Sequence, residues 1–171
     1  MGFPGGKIIR VTPTLSTNAY AQGDILFNPT KIPNAVSNRG GISILQAMYI
    51  VDYADVADDA LTHIIITEGN TDLGTINATA NISDADFSAN KLNGILLWDN
   101  DQATTTSRVD NLRIHQMFSA AGLNTPISPL MLLQATDGST DVYVSAILAS
   151  NTTPTYAADS LELIFHIKYL G

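Results

Sequence analysis

Apolar residues in this chain come in short runs, each closed by Gly, Pro, Asn or Asp, with no helical spacing sustained between them. Lys7 to Val11 is one run, stopped by Thr12-Pro13. Asp24 to Phe27 is a second; Asn28-Pro29 is expected to end it, because proline takes a donor out of the ladder. Lys31 to Gly41, with Pro33, Asn34, Asn38 and two glycines, reads as a loop. Ile42 to Tyr53 follows and is the strongest strand. Leu45, Ala47, Tyr49, Val51 and Tyr53 fall on one face, and Ile44, Gln46, Met48, Ile50 and Asp52 on the other. Both faces are mostly apolar, so the pattern predicts a strand covered on each side. Leu61 to Thr67 is β-branched and equally two-sided.

Further strands are predicted at Leu92 to Trp98, Leu112 to Phe118, Leu130 to Ala135, Val142 to Ala149 and Leu161 to Leu170. The last alternates cleanly, with Leu161, Leu163, Phe165, Ile167 and Tyr169 on one side. Thr136-Asp137-Gly138-Ser139 reads as the turn of a hairpin, with Gly138 supplying the positive φ. One helix is signalled, at Ser83 to Asn90. Ser83 can accept from first-turn amides, and Asp84 and Asp86 suit the positive end. Many short strands without repeated crossover helices predict an all-β, antiparallel, jelly-roll-like sandwich with one short helix. The expected division is a flexible N-terminal arm, residues 1–6, followed by a single β-sandwich domain, residues 7–171.

Composition narrows the partners. The formal charge is −8, from 16 acidic and 8 basic residues, and the cations are scattered rather than striped. Nucleic-acid binding needs clustered cations against phosphates, so no nucleic-acid partner is expected. No apolar run approaches the length of a membrane-spanning helix, and Met1 to Gly6 lacks signal-peptide character, so no membrane partner is expected either. With no cysteine there is no disulfide framework and no thiolate chemistry. Charged residues make up 14% of the chain and apolar ones 45%. That balance suits strands whose second face is covered by a partner or by another copy of the chain.

Several landmarks occur in order: Thr17-Asn18-Ala19-Tyr20-Ala21-Gln22-Gly23-Asp24, Gly40-Gly41 before the long strand, Ile82 to Asp86, Asp141-Val142-Tyr143, and Thr155 to Leu161. Together they resemble the head decoration, or capsid cement, proteins of tailed bacteriophages. The resemblance implies a β-sandwich or jelly roll on the outer capsid surface of the virion. Such a protein binds the major capsid protein, reinforces the shell and forms a homodimer or homotrimer. It implies no catalytic residues and does not locate the capsid-facing side. From the residues themselves, the candidate contacts are Phe3 in the Gly-rich arm and Lys31, Ile32 and Arg39 at the Lys31–Gly41 loop.

The remaining chemistry points away from catalysis. His63, His115 and His166 each sit inside a predicted strand without metal-ligand spacing. Asp55, Asp58 and Asp59, and Asp99-Asn100-Asp101, have the hard oxygens calcium takes but also the composition of ordinary turns. Neither Gly-x-Ser-x-Gly nor a phosphate loop is present. The expectation is therefore a non-enzymatic protein with no cofactor and no metal. The alternatives are a virion spike or fibre module and a carbohydrate-binding β-sandwich.

Overall fold

The computed structural model describes residues 5–56, 60–99, 106–117 and 130–170. Ten strands and one helix follow in order: β1 Gly6–Val11, β2 Ile25–Ile32, β3 Ile42–Asp52, β4 Leu61–Thr67, α1 Asp84–Ala89, β5 Leu92–Asp99, β6 Thr106–Val109, β7 Leu112–Gln116, β8 Met131–Gln134, β9 Val142–Leu148 and β10 Leu161–Tyr169. They build two antiparallel sheets. One has the order β1-β10-β3-β7-β6, with β8 also on β3; the other is β2-β9-β4-β5. The pairs β1·β10, β2·β9, β3·β8 and β4·β5 are nested, first with last and inward. That is one long hairpin wound over two sheets, the jelly-roll arrangement. The β6–β7 hairpin is added to it: β7 pairs with the Tyr49–Asp52 half of β3, and β8 with the Ile42–Leu45 half.

The inner faces of both sheets share one apolar core. Leu26, Phe27, Met48, Ile50, Ile64, Ile66, Leu96, Trp98, Val144 and Phe165 all lie in it, at 0% exposure. Tyr20, Tyr156, Trp98 and His115 form a chain of ring contacts through it, at centroid distances of 6.1, 6.2 and 5.5 Å. The Tyr20 hydroxyl donates to Leu26 O at 3.2 Å, so that this phenol is both buried and satisfied. The turn before β2 closes as Tyr20-x-x-Gly-Asp: the Ala21 amide donates to Asp24 Oδ2 at 2.8 Å, and Gly23 takes φ +87°.

Four expectations change. β2 runs through Asn28-Pro29 to Ile32, because Pro29 falls in a break of the β2–β9 register between Phe27 and Thr30, on an edge strand. Ile32 therefore ends a strand. β3 is covered on one side along its length rather than on both. The β10 partners skip Gln46, with Ile167 opposite Leu45 and His166 opposite Ala47, so the extra residue swaps the alternation. Ser43 and Leu45, then Met48, Ile50 and Asp52, all point inward. The Thr136–Ser139 turn keeps its Gly138 at φ +82° but joins β8 in one sheet to β9 in the other, so it is an inter-sheet corner and not a hairpin. The short β6, which forms a hairpin with β7, has no apolar run to announce it.

The helix stands where its cap signals placed it. Ser83 Oγ accepts from the Asp86 amide at 3.1 Å, and Asn90 closes the other end.

Candidate interaction surface

The two sheets treat their outer faces differently. On the four-stranded sheet, Ile25, Ile65 and Ile147 point outward, and the excursion between β4 and β5 folds back over them with Leu73, Ala80, Ile82 and Phe87. Polar anchors hold that cover in place. Asn28 accepts from the Leu73 amide and donates to Gly74 O, at 2.9 and 2.7 Å. Asn90 does the same to the amide and carbonyl of Thr71, both at 2.9 Å. The two-sided character of β4 is thereby explained within the chain itself.

The six-stranded sheet has no such cover among the described residues. The register aligns its outward residues in rows: Ile8, His166 and Ala47; Arg10, Ile164, Tyr49 and Gln116; Glu162, Val51, Ile114 and Ser107; Lys168, Ile44 and Leu132. Neighbours shield Ile164 and Val51 to 9% and 8% exposure, while Ile8, Leu132, Val109 and Tyr53 remain at 57, 59, 54 and 54%. Glu162 is the one acid in these rows, and it is matched by Arg10 at 3.1 Å and by the Tyr53 hydroxyl at 3.3 Å. His166 packs against Tyr49 at 5.3 Å. In a chain of net charge −8, this face is largely apolar and carries Arg10 and Lys168 against the single acid Glu162. Broad apolar faces of this kind mark interaction sites in soluble proteins.

The four residues singled out from the sequence do not meet on one surface. Phe3 lies outside the described residues. Lys31 is exposed and pairs with Asp141 at 3.2 Å. Ile32 is fully buried in the core, so its side chain faces the sandwich interior and offers nothing to a partner. Arg39 is exposed in the turn before β3. The loop itself is tied down. Asp141 accepts from the Asn34 amide at 2.9 Å, and that bond first, with Lys31 beside it, holds its carboxyl below the usual range. Tyr169 Oη donates to Asn34 O at 2.8 Å, and the Val36 amide reaches Thr140 O.

The candidate ligand clusters are dispersed too. Asp55 is bonded by Arg108 Nη2 at 2.6 Å and Arg113 Nε at 2.8 Å, which lowers its pKa; Asp58, Asp59, Asn100 and Asp101 lie outside the described residues. Among the described residues, no three His, Asp or Glu are grouped as a metal would need. His63 is exposed on the outer side of the four-stranded sheet, and His166 is half-buried on that of the other. His115 is interior, fully buried under Trp98. Burial, with Arg113 adding to it, lowers the His115 pKa to about 4. A hollow of about 310 Å³ is lined by Thr14, Asn28, Pro29, Thr30, Asp72 and Ile76, but its Asn28 is already spent on the cover. What the structure brings together, and the sequence reading missed, is the outer row set of β10, β3 and β7. Its signal was the apolar half of each alternating strand that the core did not need.

No protein-family model matches the chain, and no curated protein matches it. Two solved structures align over most of its length. One is from Triatoma virus, at 14% identity and TM-score 0.16, covering 92% of this chain and 68% of that one. The other is the unassembled VP1 pentamer of KI polyomavirus, at 12% identity and TM-score 0.12, covering 95% and 66%. Superpositions that loose carry no argument about function, and the surface is read from its own residues.

Proposed function

We propose that this chain is a non-catalytic structural protein of a virion: a decoration, or cement, subunit on the outer surface of a tailed-phage head that binds the major capsid protein and stabilises the shell. Two things support the reading. One is the ordered set of sequence landmarks that resembles that family. The other, which carries most weight, is the outer face of the six-stranded sheet, uncovered among the described residues and largely apolar with a single acid, while the opposite outer face is covered by the chain's own excursion.

Shell stabilisation follows from mass action. A subunit that binds the assembled lattice and not the loose shell protein shifts the equilibrium toward the lattice. Many weak contacts, repeated over the shell, suit this task better than one strong site.

The test is the copy number of this protein in purified virions, measured against the major capsid protein by quantitative mass spectrometry. Hundreds of copies in a simple ratio are the expected result. A handful moves the protein to a vertex, spike or fibre. Absence overturns the reading and makes glycan binding the next assay.

A further inference from the structure

Strand β1 is an open edge of a kind that this sandwich avoids elsewhere. The edge of β2 is interrupted by Pro29 and two register breaks, and Ile25 is bonded through both its amide and its carbonyl to Ala78 and Asn77. The edge of β5 is closed against β8: Asn93 Oδ1 accepts from the Gln134 amide and Nδ2 donates to Gln134 O, both at 3.0 Å, and Met131 packs onto Gly94. β6 is four residues long. β1, in contrast, pairs with β10 in unbroken register from Gly6 to Val11, holds no proline, and has no strand of the described residues paired to its other edge. Sheet edges left in that state are templates for another strand.

The direction of its free groups can be read from the ladder. The Tyr169 amide donates to Gly5 O, so the bonded pairs of β1 and β10 are Gly5, Lys7, Ile9 and Val11 with their partners. The amides and carbonyls of Gly6, Ile8 and Arg10 therefore point away from the sheet. Those three residues also carry the outward side-chain positions, and Ile8 is 57% exposed. The strand holds no acid, and Glu162 already offsets Arg10.

We infer that the β1 edge pairs with β1 of a second copy about a two-fold axis, joining the two six-stranded sheets into one. Antiparallel pairing centred on Ile8 satisfies every constraint at once. Ile8 meets Ile8 of the second copy in a hydrogen-bonded pair, and each Gly6 faces the other copy's Arg10, so all three free residues of each strand find partners. Lys7 stands opposite Ile9, and no like charges face one another directly, an arrangement that would oppose pairing. An isologous contact of this kind closes and does not propagate. The outer apolar face then runs unbroken across two copies, doubling the surface available to a partner. The pairing does not depend on the virion assignment.

The chain has no cysteine, so a single one reports the axis. Ile8→Cys places two thiols across a hydrogen-bonded pair with Cα atoms about 5.5 Å apart, inside disulfide range. Ile42→Cys, on the same face and also exposed, serves as the control. Under mild oxidation of the isolated protein, Ile8→Cys is expected to give covalent dimer at least tenfold faster than the control. Ile8→Pro removes the central free donor without touching a bond within the chain. It is expected to weaken the dimer at least tenfold in sedimentation velocity while leaving the thermal midpoint within a few degrees. Equal cross-linking of the two cysteine variants, or an Ile8→Pro protein that dimerises like the parent, overturns the inference. So does a chain that is monomeric alone and cross-links through residue 8 only to a shell subunit. Since all of this is read on the isolated protein, its failure is distinct from a failed copy-number count.

Discussion

His115 shows how far position alters a side chain's behaviour. Its sequence neighbourhood is an alternating strand, but beside the Tyr49–Asp52 half of β3 and under the Trp98 ring it is fully buried. The neutral imidazole is favoured there, and the pKa falls to about 4. The unfolded chain binds its proton near pH 6.5, so between those values the unfolded state holds more protons and stability rises with pH. The contribution is fully present above about pH 6.5 and is lost as the pH falls toward 4, the loss by then amounting to about 3 kcal/mol. Asp52 works in the opposite sense. Burial raises its carboxyl pKa against the pull of the Ala54 and Val56 amides and of Arg113, so its ionisation costs stability as the pH rises. Comparing the parent with His115→Gln separates the two. The urea midpoint of the parent should fall more steeply between pH 7 and pH 4.5 than that of the variant. Equal slopes would show that His115 is not the group responsible.

Bulges and side-chain bridges, rather than strand propensity, decide the elements. The skipped Gln46 lets β3 serve the core with residues from both of its apparent faces, so a simple period of two misreads it. Asn93 substitutes for a strand at the β5–β8 corner, its side-chain amide oxygen accepting from and its nitrogen donating to one residue's backbone. Asn93→Ala should therefore cost about 0.5–1.5 kcal/mol in denaturant unfolding, the net worth of a hydrogen-bonded bridge that water can partly replace. An Asn93→Asp protein keeps the acceptor and loses the donor, and should fall between the two. A cost below 0.5 kcal/mol for Asn93→Ala would mean that water replaces the bridge.

Across the whole molecule, the uneven covering of the two sheets sets where a partner can bind. Leu132 and Val109 are exposed apolar positions on the uncovered face, at 59% and 54%. Surface substitutions there leave stability within about 0.5 kcal/mol. Leu132→Glu and Val109→Glu together should consequently keep the thermal midpoint and cut occupancy on virions about tenfold or more. Unchanged occupancy would move the shell contact to another side.

The strand content, the two-turn helix with its Ser83 cap, the Tyr20-to-Asp24 turn and the positive φ at Gly138 were all legible in the chain, because each is decided by neighbours within a few residues. The low charge and the apolar excess were legible as well, and with them the expectation of a covered second face. Tertiary structure alone decided which face that is. The excursion between β4 and β5 reaches back across the four-stranded sheet, while nothing in the described chain does so for the other. Likewise, Ile32 becomes a core residue and Pro29 is tolerated because β2 is an edge against β9, more than a hundred residues away in sequence. Pairing partners that distant leave no trace in local pattern, since alternation tells a residue to face in or out but not against what.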